Sequence, residues 1–198
     1  MLMTSKSLRR LSSRLLAEER GIAAVEFALI LPIMLTLWIG GVEVTSALNA
    51  DRRLNNLAAS VGDLVSREKE VTEADIAAVF DIAPSAMYPD GEAGLSVRIT
   101  AVKVDDTGVA TVAWSRAEPS DLAYAGDAAM NSVVPEALRV PNTRIIMSEA
   151  FFTYVPTIGS IVSPDGIELE DRLFFVPRLS SEISLCPQAD SPADQCVS

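Results

Sequence analysis

The chain contains no histidine and only two cysteines among its 198 residues. The first absence removes the usual general base, the commonest metal ligand and every Ser-His or Cys-His arrangement. The second leaves too few soft ligands for a zinc site, and the pair is not spaced as Cys-x-x-Cys. Cations are also scarce, with 16 Lys and Arg against 27 Asp and Glu, for a net charge of −11. No cofactor or metal is expected, and no enzymatic activity.

The charge is unevenly placed. Residues 1–21 carry Lys6, Arg9, Arg10, Arg14 and Arg20 against Glu18 and Glu19, a net of +3, so residues 22–198 carry −14. A polyanionic body of this kind does not suit nucleic acid, whose phosphates need cationic partners. Within the basic leader, Leu8, Leu11, Leu15 and Leu16 recur at helical spacing, as in a helix lying on anionic lipid.

What the chain does have is a long apolar run. From Ile22 to Val42 the sole ionisable residue is Glu26. As a helix this run spans roughly 30 Å at ~1.5 Å per residue, which matches a bilayer core. It is longer than the apolar part of a secretory signal and continues into a helical pattern without a break, so a retained anchor is expected. The basic leader then predicts a cytoplasmic N-terminus and an exported C-terminus. In an exported domain, Cys186 and Cys196 are expected to form a disulfide closing a short loop, worth roughly 2–3 kcal/mol in the chain-entropy model.

Pro32 lies inside the span, where it should kink the helix or free a carbonyl. Past Glu43 the pattern turns amphipathic. Leu48, Leu54, Leu57, Ala58, Val61, Leu64 and Val65 recur at three and four, with charged and amide residues between them. One helix is therefore predicted from Ile22 to about Arg67. Thr72 and Asp75 read as the N-cap and first turn of a second helix, Glu73–Ile82, which Pro84 should end.

Gly21-Ile22-Ala23-Ala24-Val25-Glu26-Phe27-Ala28-Leu29-Ile30-Leu31-Pro32, after a basic leader, resembles the N-terminal segment of type IV prepilins. It is similar in particular to the TadE/TadG-like, pseudopilin-like proteins of the tight-adherence (Flp, type IVc) pilus. The resemblance implies cleavage between Gly21 and Ile22 by a prepilin-type membrane peptidase. It also implies an assembly role for Glu26 and Phe27, with other pilin-like subunits and pilus assembly proteins as partners. Tyr154-Val155-Pro156 is similar to the aromatic strand followed by Pro in the same family.

Beyond residue 84, Leu95–Val104 and Val109–Arg116 read as a hairpin around Asp105-Asp106-Thr107-Gly108, with a bulge near Ala101 where the apolar phase shifts to Val102 and Val104. Asp106-Thr107-Gly108 is also the aspartic-protease tripeptide. That chemistry needs two carboxylates sharing a proton, and the tripeptide occurs once, so a turn accounts for it. Short helices are expected around 127–133 and 136–138, and further strands at Thr143–Val155 and Ile167–Pro177, with Pro164-Asp165-Gly166 as a turn. Phe152 and Tyr154 share one strand face and are read as core, the rivals being a carbohydrate platform or an assembly surface.

The expected fold is α+β: a long N-terminal transmembrane helix extended outside the membrane, then a small antiparallel-sheet domain. The expected divisions are residues 1–21 as basic leader, 22–44 as transmembrane helix, 45–83 as extended amphipathic helix plus short second helix, and 84–198 as periplasmic domain. The expected function is pilus assembly at the bacterial inner membrane through subunit contacts. The alternative is an anchored periplasmic binding domain that is neither processed nor assembled.

Overall fold

The computed structural model describes residues 21–91, 93–156, 166–188, 191–192 and 195–197. The expected leader helix, residues 1–20, and Pro164-Asp165 lie outside the described residues. The chain divides into two units, Met1–Thr45 and Ser46–Ser198, with one helix running through the division. That helix, α1, spans Ile22–Ser66 and is followed by an antiparallel-sheet domain, so the fold is α+β.

Within the first unit α1 continues unbroken through Pro32. The hydroxyls of Thr36 and Thr45 each donate to the carbonyl four residues back, Pro32 O and Gly41 O, both at 2.8 Å. Turned onto their own backbone, neither hydroxyl needs a partner from an apolar solvent. None of residues 21–49 is buried, and the apolar stretch has a mean hydropathy of 2.3.

Within the second unit the same helix buries Ala50, Leu54, Leu57, Ala58, Val61, Gly62, Val65 and Ser66. Leu48 and Leu64, expected in this stripe, are instead 53% and 56% exposed. At 100° per residue Leu64 sits about 80° round the helix from Leu54, just past Leu57 at the edge of the stripe, and Leu48 comes before Ala50, where burial of the helix begins. A three-residue strand, β1 (Glu70–Thr72), leads into α2 (Glu73–Ala86). The capping box is complete: the Asp75 N–H donates to Thr72 Oγ1 at 3.1 Å, and the Thr72 N–H donates to Asp75 Oδ2 at 2.9 Å.

The helix does not stop at Pro84 as expected. Pro84 lies in its last turn, and the Met87 N–H caps back onto Pro84 O at 3.1 Å. A proline this near the end deprives only the Phe80 carbonyl of its helical donor, a small loss beside a mid-helix break. Ile76 and Ala83 are buried, with Val79 and Phe80 packed against the core.

Four strands form the sheet: β2 (Leu95–Val104), β3 (Ala110–Glu118), β4 (Arg144–Tyr154) and β5 (Ile167–Phe175). Their spatial order is β3-β2-β4-β5, all antiparallel. Val97, Ile99, Ala101, Trp114, Ile146, Ala150, Phe152 and Tyr154 line one face and join the buried stripe of α1 in the main core. Phe152 and Tyr154 are thus core rather than platform. Phe175 lies so close to Gly62 that a β-carbon there would come within 2.1 Å of its ring, so the absent side chain is what admits the aromatic.

The opposite face carries a second cluster, Val102, Val104, Ala110, Val112, Met130, Val134, Ile145 and Met147. This explains the phase shift seen in the sequence. The pairing does slip between Ala101 and Val102, but the extra residue is Ala113, on β3 between Val112 and Trp114. β2 itself stays in step with β4 throughout, so Val102 and Val104 simply face the second cluster. Residues 127–133 are not helical. Ala128 O and the Met130 N–H bond to Val112 and Ala110 at 2.9 and 2.8 Å, supplying partners to the open edge of β3. Residues Glu136–Leu138 form a single 3-10 turn, as does Ser120–Leu122.

A second pairing was not foreseen: β6 (Ser184–Cys186) runs parallel to β1, with Val71 opposite Leu185. The Trp114 indole N–H donates to Ile183 O at 2.9 Å and ties this segment to the sheet. Cys186 and Cys196 are joined as a disulfide, and Leu185 and Val197 exchange backbone hydrogen bonds of 2.8 and 2.9 Å beside it.

Candidate functional site

Gly21 immediately precedes α1, and Ile22, Glu26 and Phe27 occupy its first two turns. A β-carbon at Gly21 would meet nothing within 4 Å. Ile22 is 56% exposed and Phe27 62%, and Glu26 is exposed. Ile22 and Glu26 are four residues apart and so lie on one side of the helix. Among the described residues no ion pair or hydrogen bond is recorded for the Glu26 carboxylate, which stands in a surface otherwise built of alkyl and aromatic groups.

A contrasting charged centre lies within the sheet domain, on the face opposite α1. Glu149, in the middle of β4, is fully buried. Its Oε2 accepts from Arg98 Nε at 2.6 Å and its Oε1 from Arg172 Nε at 2.7 Å. Arg98 also donates to Leu122 O at 2.7 Å and to the Tyr124 hydroxyl at 2.9 Å, and its guanidinium stacks on the Tyr124 ring. Arg172 further donates to Glu170 at 2.8 Å. Burial and the neighbouring Glu149 charge raise the Tyr124 phenol above its ordinary value. Burial opposes the Arg172 charge, but the Glu149 hydrogen bond and charge outweigh it and raise its pKa.

Both carboxylate oxygens of Glu149 are occupied, so the group is a structural clasp joining β2, β4 and β5. Sequence reasoning missed it. Arg98 alternates with apolar neighbours and reads as outward-facing. The available signal was the lone acid within Ile145-Ile146-Met147-Ser148-Glu149-Ala150-Phe151-Phe152.

Asp105 organises the β2–β3 turn. Its Oδ1 accepts from the Val109 N–H at 2.8 Å, the Thr107 hydroxyl at 2.8 Å and the Thr107 N–H at 2.9 Å. These bonds, that from Val109 foremost, hold its pKa below the ordinary carboxylate value. Gly108 takes the positive φ of +83° that the turn requires.

Among the described residues there is one helix long and apolar enough to cross a membrane, joined to a disulfide-bearing α+β domain. Residues 21–62 match the family model described as TadE-like protein. The similarity to that family is confined to these residues. The matched stretch contains Gly21, Ile22, Glu26 and Phe27 and most of α1. No curated protein matches the chain, and no solved structure matches its fold.

Proposed function

We propose that this chain is a membrane-anchored, pseudopilin-like assembly protein of a tight-adherence pilus, acting through subunit contacts rather than catalysis. The observation that carries the reading is Glu26, five residues after Gly21 at the head of a TadE-like apolar helix. A carboxylate in such a segment costs on the order of 2.5–3.5 kcal/mol at the bilayer centre and less toward an end. That cost is offset if the acid meets a cation in the assembled state.

A prepilin-type peptidase supplies that cation by cutting after Gly21 and leaving a charged amine on Ile22. Glu26 of one subunit then pairs with the Ile22 amine of a neighbour inside the apolar assembly, where two groups costly alone become tolerable together and fix the register. Phe27 packs beside that pair. In this reading residues 22–44 span the inner membrane once, the N-terminus is cytoplasmic, and the outer part of α1 with the sheet domain lies in the periplasm. The polyanionic character of residues 22–198 is compatible with that placement.

The test is Glu26→Ala in the full chain, expressed in its native membrane. Co-purification with the pilus machinery is expected to be lost while the protein remains membrane-bound. Retained co-purification would turn the reading to a simple anchored periplasmic domain.

A further inference from the structure

Two apolar openings flank the pair formed by the outer part of α1 and α2, of about 320 and 390 Å³. They share Leu64 and Val79, so they form one continuous groove along the two helices. Its floor is Leu57, Val61, Val79 and Ala83, and its walls carry Leu64, 56% exposed, and Ile82, 67% exposed. On α1 it runs from Arg53 to Val65, or about 18 Å at 1.5 Å per residue, a little over three helical turns.

The rim carries one cation and three acids. Arg53, at one end, is paired with Asp90. At the other end stand Glu68, Glu70 and Asp75. Among the described residues no ion-pair partner is recorded for Glu68 or Glu70, and both are exposed. Asp75 is held anionic by the Thr72 hydroxyl and N–H, which lower its pKa.

We propose that this groove docks an amphipathic helix of a partner protein, with its apolar face on Leu64 and Ile82 and Lys or Arg residues against Glu68 and Glu70. Two packed helices leave a groove that a third helix fills, anchored at helical spacing. The charge decides among occupants. A second copy docked parallel by the same surface would bring Glu68, Glu70 and Asp75 against their own equivalents, and docked antiparallel would set them against Arg53, whose charge Asp90 already pairs. Anionic lipid would meet the same repulsion. A basic helix gains on both counts, and steering by the polyanionic chain speeds its approach. The docking does not involve Glu26.

The experiment places a benzophenone amino acid at Ile82, at Leu64, or at the exposed Val176 away from the groove, in the full chain in its native membrane. Light-induced adducts are mapped by peptide mass spectrometry. Adducts from Ile82 and Leu64, absent from Val176, are expected to map to one apolar, Lys- or Arg-bearing helix of another protein. Glu68→Lys with Glu70→Lys is expected to lower their yield by about fivefold or more. The proposal is overturned by adducts only to lipid, by adducts to a second copy, by none above the Val176 level, or by a yield indifferent to charge reversal. Running Glu26→Ala alongside separates the two proposals, since the groove adduct should survive a change that removes pilus co-purification.

Discussion

Glu26 and Glu149 each interrupt an apolar run, one at the head of α1 and the other in the centre of β4. Glu149 is fully buried and has both oxygens taken by arginines of its own chain. Glu26 is exposed on an apolar helix, with no recorded partner among the described residues. The sequence signal is the same in both places, a single acid among aliphatic and aromatic residues. The sheet resolves it within the domain, because neighbouring strands bring Arg98 and Arg172 alongside. A lone helix has no neighbouring strand to do so, and this is why the proposed function assigns Glu26 a partner in the assembly.

The largest expected effect separates the two acids. Glu149→Ala leaves Arg98 and Arg172 buried or half-buried without their carboxylate, a change that typically costs 3–5 kcal/mol. Thermal unfolding of the full chain in micelles, followed by Trp114 fluorescence, should show a large drop in midpoint. Glu26→Ala should leave that midpoint unchanged. Equal effects of the two changes would break the comparison.

A second contrast probes α1 itself. Leu54 is fully buried against the sheet, and Leu54→Ala should destabilise the domain by about 2–5 kcal/mol through lost contact and a residual cavity. Leu35, 47% exposed in the apolar stretch, should tolerate Ala with no change in domain unfolding. The two leucines are indistinguishable by residue type. They differ in whether apolar residues surround the helix or line one side of it.

The smallest effect concerns pH. Asp75, Asp105 and Asp127 have folded pKa values below the ordinary 3.8, the causes being, respectively, chiefly the Thr72 hydroxyl, the Val109 N–H and the Lys103 ammonium. The folded state favours their ionised forms, so their contribution is present above the unfolded value and is lost as pH falls through the folded ones. These groups should therefore leave the unfolding midpoint flat between about pH 5 and 7 and make it decline below about pH 4. Asp105→Asn should flatten part of that decline without touching the Glu149 clasp.

Much of this fold was legible in the sequence because it follows local periods. The three-and-four spacing located α1, the Thr72–Asp75 pair located the start of α2, and the β2–β3 hairpin and β4 showed as apolar runs around turn residues. What escaped depends on partners distant in the chain. β1 and β6 are three residues each and become strands only when residues 70–72 meet 184–186. Ala113 is the extra residue only by comparison with Val102 opposite. The Glu149 clasp draws on residues 98 and 172, and no spacing rule connects them. Of the candidate site, Gly21, Ile22, Glu26 and Phe27 were legible as a short ordered motif, and residues 21–62 match the TadE-like family. The α1–α2 groove was not, since Leu64 looked like core until α2 was placed beside it.

The most direct measurement is the intact mass, with N-terminal sequencing, of the protein extracted from its native membrane while the peptidase is active. A mature chain beginning at Ile22 is the result expected of a processed, assembling subunit whose new amine pairs with Glu26. A chain beginning at Met1 under those conditions would contradict it, because the cation proposed for Glu26 would never be made.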